Sequence, residues 1–159
     1  MTKITQQDET QTLDLDNYVP ALVNSLANKL SSGASACYRK HFGIGVVEWR
    51  VLALLAVENS ITANRICQVI GLDKSAVSKA VKQTEQKQWI SLTKDAQDGR
   101  QSLISLTSAG QEIHDKVLQV ALKREQILLN DFSDEEQQLL IKLMHKLNQA
   151  VPSVNEYEP

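Results

Sequence analysis

Apolar positions recur at steps of three and four along most of this chain, with one short interval where the step becomes two. Leu15, Val19, Leu22, Leu26 and Leu30 form the first stripe, widened by Val23, Ala27, Ala34 and Cys37. That spacing stacks side chains on one face of a helix. Asn17 is placed to cap this helix, which puts Pro20 in the first turn, where its missing N–H costs no helical bond. Gly43 and Gly45 end the segment. The stripe is broader than one helix can cover, so it predicts a partner, either the C-terminal helices or a second chain. Ahead of it, residues 1–12 are polar and patternless, the signature of a mobile tail.

A second helix is predicted over Val46 to Glu58, with Trp49, Leu52, Leu55 and Ala56 or their neighbours facing inward. Asn59 to Ile61 breaks the pattern and has room for a short first strand. Thr62 then caps a third helix, Ala63 to Ile70, and Gly71 turns the chain into a fourth over Leu72 to Gln88, capped by Asp73. Two short helices joined through a glycine turn are a helix-turn-helix signature. In the fourth helix Ala76, Val77, Ala80 and Val81 make the apolar stripe. Lys74, Ser75, Ser78, Lys79, Lys82 and Gln83 make a short, polar, cationic face. Side chains of this kind reach phosphates and base edges in a DNA major groove.

After Trp89 the period is two. Ile90 and Leu92 alternate with Ser91 and Thr93, and a second strand runs from Gln101 to Leu106 with Ile104 and Leu106 on one face. Between them Lys94 to Arg100 is a turn, with Asp98-Gly99 its strongest signal. This is a β-hairpin beside the fourth helix, a wing. Helical spacing then returns. Thr107 caps a helix reaching about Asn130 through Ile113, Val117, Val120, Ala121 and Leu128. Ser133 with Glu136 forms a capping box. Leu139, Leu140, Leu143, Met144 and Leu147 stripe a last helix that Pro152 ends.

Composition agrees with this helical picture: of 159 residues 42% are apolar and only 4% aromatic, with 6 Gly and 3 Pro. The length fits one domain or a small two-part unit. A formal net charge of −2 argues against a nucleic-acid binder until position is considered. Between Thr62 and Leu106 seven basic side chains face four acidic ones, so a basic middle lies between acidic flanks. That distribution suits a local DNA footprint. A cationic helix face by itself is an ordinary solvated surface; the helix-turn-helix and wing around it give it a purpose.

Other chemistries lack their residues. Cys37 and Cys67 have no C-x-x-C spacing, and His41, His114 and His145 form no i, i+4 pair, so neither a disulfide framework nor a metal site is expected. Gly43-x-Gly45 lacks a third glycine and a preceding strand, and Asp73-Lys74-Ser75 lacks the glycine of a phosphate-binding loop. No Gly-x-Ser-x-Gly is present. No enzyme and no cofactor is implied. With no membrane-length apolar run and no secretory signal, the expectation is a cytoplasmic protein without a membrane partner.

In this order and spacing the elements resemble the multiple-antibiotic-resistance regulator (MarR) family of winged-helix transcription factors. The segment from Phe42 to Leu55, with Trp49-Arg-Val-Leu at its centre, looks like the entry to that family's second helix. Ile70 to Val81 looks like its recognition helix, Asp95-x-x-Asp98-Gly99-Arg100 like its wing tip, and Leu106-Thr-x-x-Gly110 like the start of its fifth helix. One position departs: Val46 stands where a capping Ser or Thr is common, which predicts a loosely started helix.

The resemblance implies a mostly α protein. A winged helix-turn-helix over residues 46–107 carries a two- or three-stranded small sheet. Residues 15–45 and 108–152 form a helical dimerisation region, between tails at 1–14 and 153–159. It implies a homodimer on a double-stranded, pseudo-palindromic operator, its half-sites about one helical turn apart. Lys74, Lys79 and Lys82 would hold phosphates, and Ser75, Ser78 and Gln83 would reach base edges. Arg100, held by Asp98, would enter the minor groove. The effector would be a small aromatic or phenolic carboxylate at the junction of dimer helices and wing, near Ser32, Arg39, His41 and Arg50. Such a ligand would release a repressor. A second possibility keeps the fold and switches it by oxidation of Cys37, beside Arg39 and Lys40. A third is a helical interaction module with no specific DNA binding.

Overall fold

The structure, a computed structural model, describes residues 4–7, 10–94 and 101–159, with side chains from residue 12 onward. It forms two compact units, residues 1–118 and 119–159. In the first, strands β1 (Ile4–Gln7) and β2 (Thr10–Leu13) pair antiparallel with Ile4 opposite Leu13. Within the segment expected to be a patternless tail, residues 4–7 and 10–13 are thus paired strands: alternation is absent, but the backbone groups pair.

Helix α1 (Val19–Phe42) follows, with Tyr18 rather than Asn17 at its N-cap and no side-chain cap bond. The Asn17 amide instead donates to Asp14 at 2.8 Å, in a turn that also closes Asn17 N–H onto the Asp14 carbonyl. Gly43 terminates α1 at φ 67, a left-handed conformation that costs glycine little. Helix α2 (Val46–Val57) begins one residue after Gly45, its N-cap. The start is held, contrary to the expectation from Val46, because the Glu48 carboxylate reaches back to the Gly45 N–H. This is the reciprocal half of a capping box; glycine has no side chain for the other half.

Strand β3 (Ile61–Thr62), helix α3 (Ala63–Ile70), helix α4 (Lys74–Gln86) and strands β4 (Ile90–Lys94) and β5 (Ser102–Leu106) complete the winged part. The sheet has three antiparallel strands in the order β3-β5-β4, with Ile61 opposite Ile104 and Ile90 opposite Leu106. The core lies between α2, α3, α4 and the sheet. Val51, Leu52, Leu55, Ile66, Val77, Ile90 and Ile104 are buried there, each such side chain contributing about 1.5–3 kcal/mol. Of the inward positions expected on α2, Leu52 and Leu55 are buried; Ala56 is exposed, and Val51, a neighbour of Leu52, is buried. Leu92, expected to share the face of Ile90, is 38% exposed.

Helix α5 (Ser108–Leu128) starts under a Thr107 cap, whose hydroxyl accepts the Gly110 N–H at 3.0 Å and donates to the Gln88 carbonyl at 2.7 Å. Gly110 lies so close to the Trp89 carbonyl that a Cβ there would collide with it. Its buried side chains, His114 and Val117, belong to the first unit.

In the second unit, α6 (Asp134–Asn155) opens on the expected capping box: Ser133 N–H donates to Glu136 at 2.8 Å, and Glu136 N–H to the Ser133 hydroxyl at 3.3 Å. Pro152 does not end this helix but sits inside its last turn. So close to the C-terminus, a proline removes one N–H bond, and the next turn still closes through Glu156 N–H on the Pro152 carbonyl at 3.0 Å. No residue of α6 is buried, and Leu139, Leu140, Leu143, Met144 and Leu147 all stand exposed. On α1, Leu22 is 49% and Leu26 52% exposed. Among the described residues no helix is long and apolar enough to cross a membrane.

Candidate nucleic-acid interface

Helix α4 owes its position to its ends and to one buried face. The Asp73 carboxylate accepts the Ala76 N–H at 2.9 Å, and Thr62 does the same for Arg65 at 3.2 Å in α3. Gly71, at φ 66, makes the left-handed turn between the two helices. At the far end Gln88 N–H bonds the Glu85 carbonyl and Trp89 N–H the Thr84 carbonyl. That is a Schellman motif with Gln88, φ 59, at the left-handed position.

Val77, Ala80, Val81 and Thr84 form the buried face. Thr84 was not part of the apolar stripe read from sequence, because its hydroxyl marks it as polar. Here that hydroxyl donates to the Ala80 carbonyl at 2.8 Å, within reach also of Val81 at 3.0 Å, and so is satisfied inside the core. A threonine three residues after a valine in such a stripe is the signal that was available.

The opposite face carries the predicted contact residues. Lys74, Ser75, Ser78, Lys79, Lys82 and Gln83 are all exposed. None of these side chains makes a hydrogen bond or ion pair with another described residue. Asp98 and Arg100, expected at the wing tip, lie outside the described residues. Arg65, counted in the basic middle, is committed elsewhere: its guanidinium forms a bidentate pair with Glu58, both bonds 2.8 Å. That pair holds the Glu58 carboxyl below its usual value.

A groove of about 170 Å³ lies between α1, the start of α2 and α4, lined among others by Ser35, Arg39, Glu48, Lys79 and Gln83. Arg39 donates from Nε to Ser35 at 3.2 Å and has no carboxylate partner among the described residues. Of the four predicted ligand residues, Arg39 lines this groove and the other three do not. Ser32 and His41 are exposed on α1, and Arg50 donates to Ser31 at 2.9 Å, tying α2 to α1. A second groove, about 300 Å³, separates Ser78 of α4 from Thr62, Leu92 and Ser102 on the sheet side. Cys37 and Cys67 are half-buried and unpaired.

One constellation was missed from sequence. His114 is buried, stacks on Trp49 with centroids 5.3 Å apart, and bonds Asp115 through Nδ1 at 2.8 Å. Tyr38 meets Trp49 edge-on at 6.1 Å, so α1, α2 and α5 share one aromatic cluster. Asp115 also accepts from Gln111 at 2.7 Å, and these two bonds, His114 first, keep its carboxyl below the usual value.

A helix-turn-helix with a hairpin wing in a three-stranded sheet and an unencumbered polar face on its second helix defines a winged-helix protein. The profile of the MarR family matches residues 42–101. A MarR/EmrR family transcriptional regulator from Acinetobacter sp. ADP1 has a solved structure with a TM-score of 0.83 to this one. It is 36% identical, over 89% of this chain and 99% of that one. YwoH of Bacillus subtilis (strain 168), an uncharacterised HTH-type transcriptional regulator, is 27% identical over 61% of this chain and 70% of its own length. The fold is also that of S. aureus MepR, solved as a DNA complex, with a TM-score of 0.73, 21% identity, and 86% and 98% of the two chains covered. The chain belongs to the MarR family of transcriptional regulators. Proteins of this family act by binding DNA and are not enzymes.

Proposed function

We propose that this protein is a homodimeric repressor that binds a pseudo-palindromic operator and leaves it when a small anionic, aromatic ligand binds. The observation that carries the reading is the division of α4 into a buried face and an exposed polar one, on which Lys74, Ser75, Ser78, Lys79, Lys82 and Gln83 have no partner among the described residues. Lys74, Lys79 and Lys82 would neutralise phosphates; Ser75, Ser78 and Gln83 would meet base edges. Arg100 and Asp98 would serve the minor groove beside each helix. The DNA complex of the relative MepR supports this use of the fold. The dimer is supported by the exposed apolar stripes of α1 and α6, which a second copy would cover.

For the ligand, the 170 Å³ groove is smaller than the roughly 300–1,000 Å³ of a drug-sized site. A single-ring carboxylate suits it, with Arg39 and Lys79 as the two cations. Because Lys79 also belongs to the DNA face, a bound carboxylate would compete with a phosphate for it. Ser32, His41 and Arg50 would contribute from the neighbouring surface of α1 and α2.

Selection of bound fragments from random DNA, followed by titration at several salt concentrations, tests the reading. A shared inverted repeat and a steep salt dependence are expected, weakened in Lys79→Ala plus Lys82→Ala. Binding without sequence preference would reject it. Thermal shifts with benzoate-type acids, lost in Arg39→Ala, test the ligand part.

A further inference from the structure

Lys87 stands at the C-cap of α4, and its ammonium is the meeting point of three segments. It donates to the Gly43 carbonyl at 2.8 Å, lies 3.4 Å from Glu48 Oε1, and sits 4.5 Å above the centre of the Trp89 ring. An ammonium has three donors, and here each faces an acceptor. Glu48 is itself buried, and its other oxygen takes the Gly45 N–H. The end of α4 is therefore bonded to both sides of the turn that joins α1 to α2.

We propose that Lys87 is a positioning residue for DNA recognition, a strut that fixes the tilt of α4 and touches no DNA itself. This rests on α4 being the recognition helix. The buried face of α4 is apolar, Val77, Ala80 and Val81, apart from Thr84, whose hydroxyl is satisfied within the helix. Apolar contact is nondirectional and tolerates small rotations, whereas the bonds of Lys87 have direction. From Lys87 to Ser75 the helix spans about 18 Å, so a tilt of about 5° at the strut moves Ser75 by about 1.5 Å. That displacement is half a hydrogen-bond length, enough to misplace a base contact. Lys87 also projects toward α1 and α2, off the ridge that carries Ser75, Lys79 and Lys82. Its ammonium is committed there, so it is not a phosphate contact.

The experiment compares wild type, Lys87→Met and Lys87→Arg on the operator selected from random DNA by the wild type, and on operators changed at one base pair. Methionine keeps the stem over Trp89 and removes the charge. The ratio of affinities between the selected and changed operators is expected to fall about three- to tenfold in Lys87→Met, the size of a partly exposed charged hydrogen bond. Non-specific affinity and the slope of log K against log salt stay as in wild type, and Lys87→Arg recovers part of the ratio. An unchanged ratio overturns the proposal, including where Tm falls, since that outcome is a structural role alone. A slope lowered by about one per chain overturns it too, by making Lys87 a phosphate contact. Should the wild type select no operator, the assignment of α4 as recognition helix fails first and the strut with it.

Discussion

The indole of Trp49 and the imidazole of His114 lie stacked, 5.3 Å between centroids and 23° between planes, and join α2 to α5 across 65 residues of sequence. The pair is where the winged part of the first unit is fastened to the helix that leaves it. Replacing His114 by alanine removes a buried ring and leaves Asp115 without its principal partner. A loss of about 2–3 kcal/mol is expected from urea unfolding of His114→Ala, of which His114→Phe restores part by keeping the stack.

Acid should act on this cluster and on the Glu58–Arg65 pair. Asp115 and Glu58 both titrate below their ordinary values in the folded protein, held by His114 and Arg65 respectively. A carboxyl with a lowered folded pKa contributes stability above its unfolded value, about 4, and loses it as pH falls through the folded one. Tm measured from pH 7 downward should therefore hold to about pH 5 and then drop. In Asp115→Asn the drop below that point becomes shallower, because one of the two carboxyls no longer titrates.

Gln88 occupies a left-handed conformation, φ 59, at the position of a Schellman motif that glycine fills most often. Its side chain makes no bond with another described residue, while its carbonyl accepts from Thr107 at 2.7 Å. Gln88→Gly relieves the Cβ clash and keeps the carbonyl. A gain of about 0.5–1 kcal/mol, or about 1–4 °C in Tm by calorimetry, is expected. Gly110→Ala goes the other way, since the new Cβ meets backbone that cannot swing aside; about 2–3 kcal/mol should be lost.

Salt titration separates the basic residues. Lys82 has no partner among the described residues, so Lys82→Ala should lower the salt slope of operator binding by about one per chain. Arg65 is already paired with Glu58 at 2.8 Å, so Arg65→Ala should leave that slope nearly unchanged. A slope change for Arg65 as large as that for Lys82 would show that DNA displaces Glu58.

The elements most legible in the sequence were those with a local cause. Thr62 and Asp73 cap their helices as their position before an apolar run requires, and Gly71 makes the turn only glycine makes cheaply. The polar face of α4 was legible because helical spacing assigns each residue a direction without knowledge of the rest. What stayed hidden depended on distant groups. Nothing near His114 tells that Trp49 will stack on it, and nothing near Glu48 tells that Lys87 will reach it from the end of α4. Arg65 counts as positive charge in any sum over the chain until Glu58 is seen beside it. Pro152 and Asn17 misled for a different reason: each has a strong average preference, and at a helix end a single bond is enough to override it.

On α4 the side chains that hold the protein together and those aimed outward are disjoint sets, four buried and eight exposed. If α4 reads DNA as proposed, selection can rewrite what it reads without repaying the rewrite in unfolded protein. Duplicated copies of such a gene can drift to new target sites one substitution at a time, every intermediate remaining a stable molecule. The same separation invites engineering, since a library restricted to the exposed positions should express as well as the parent.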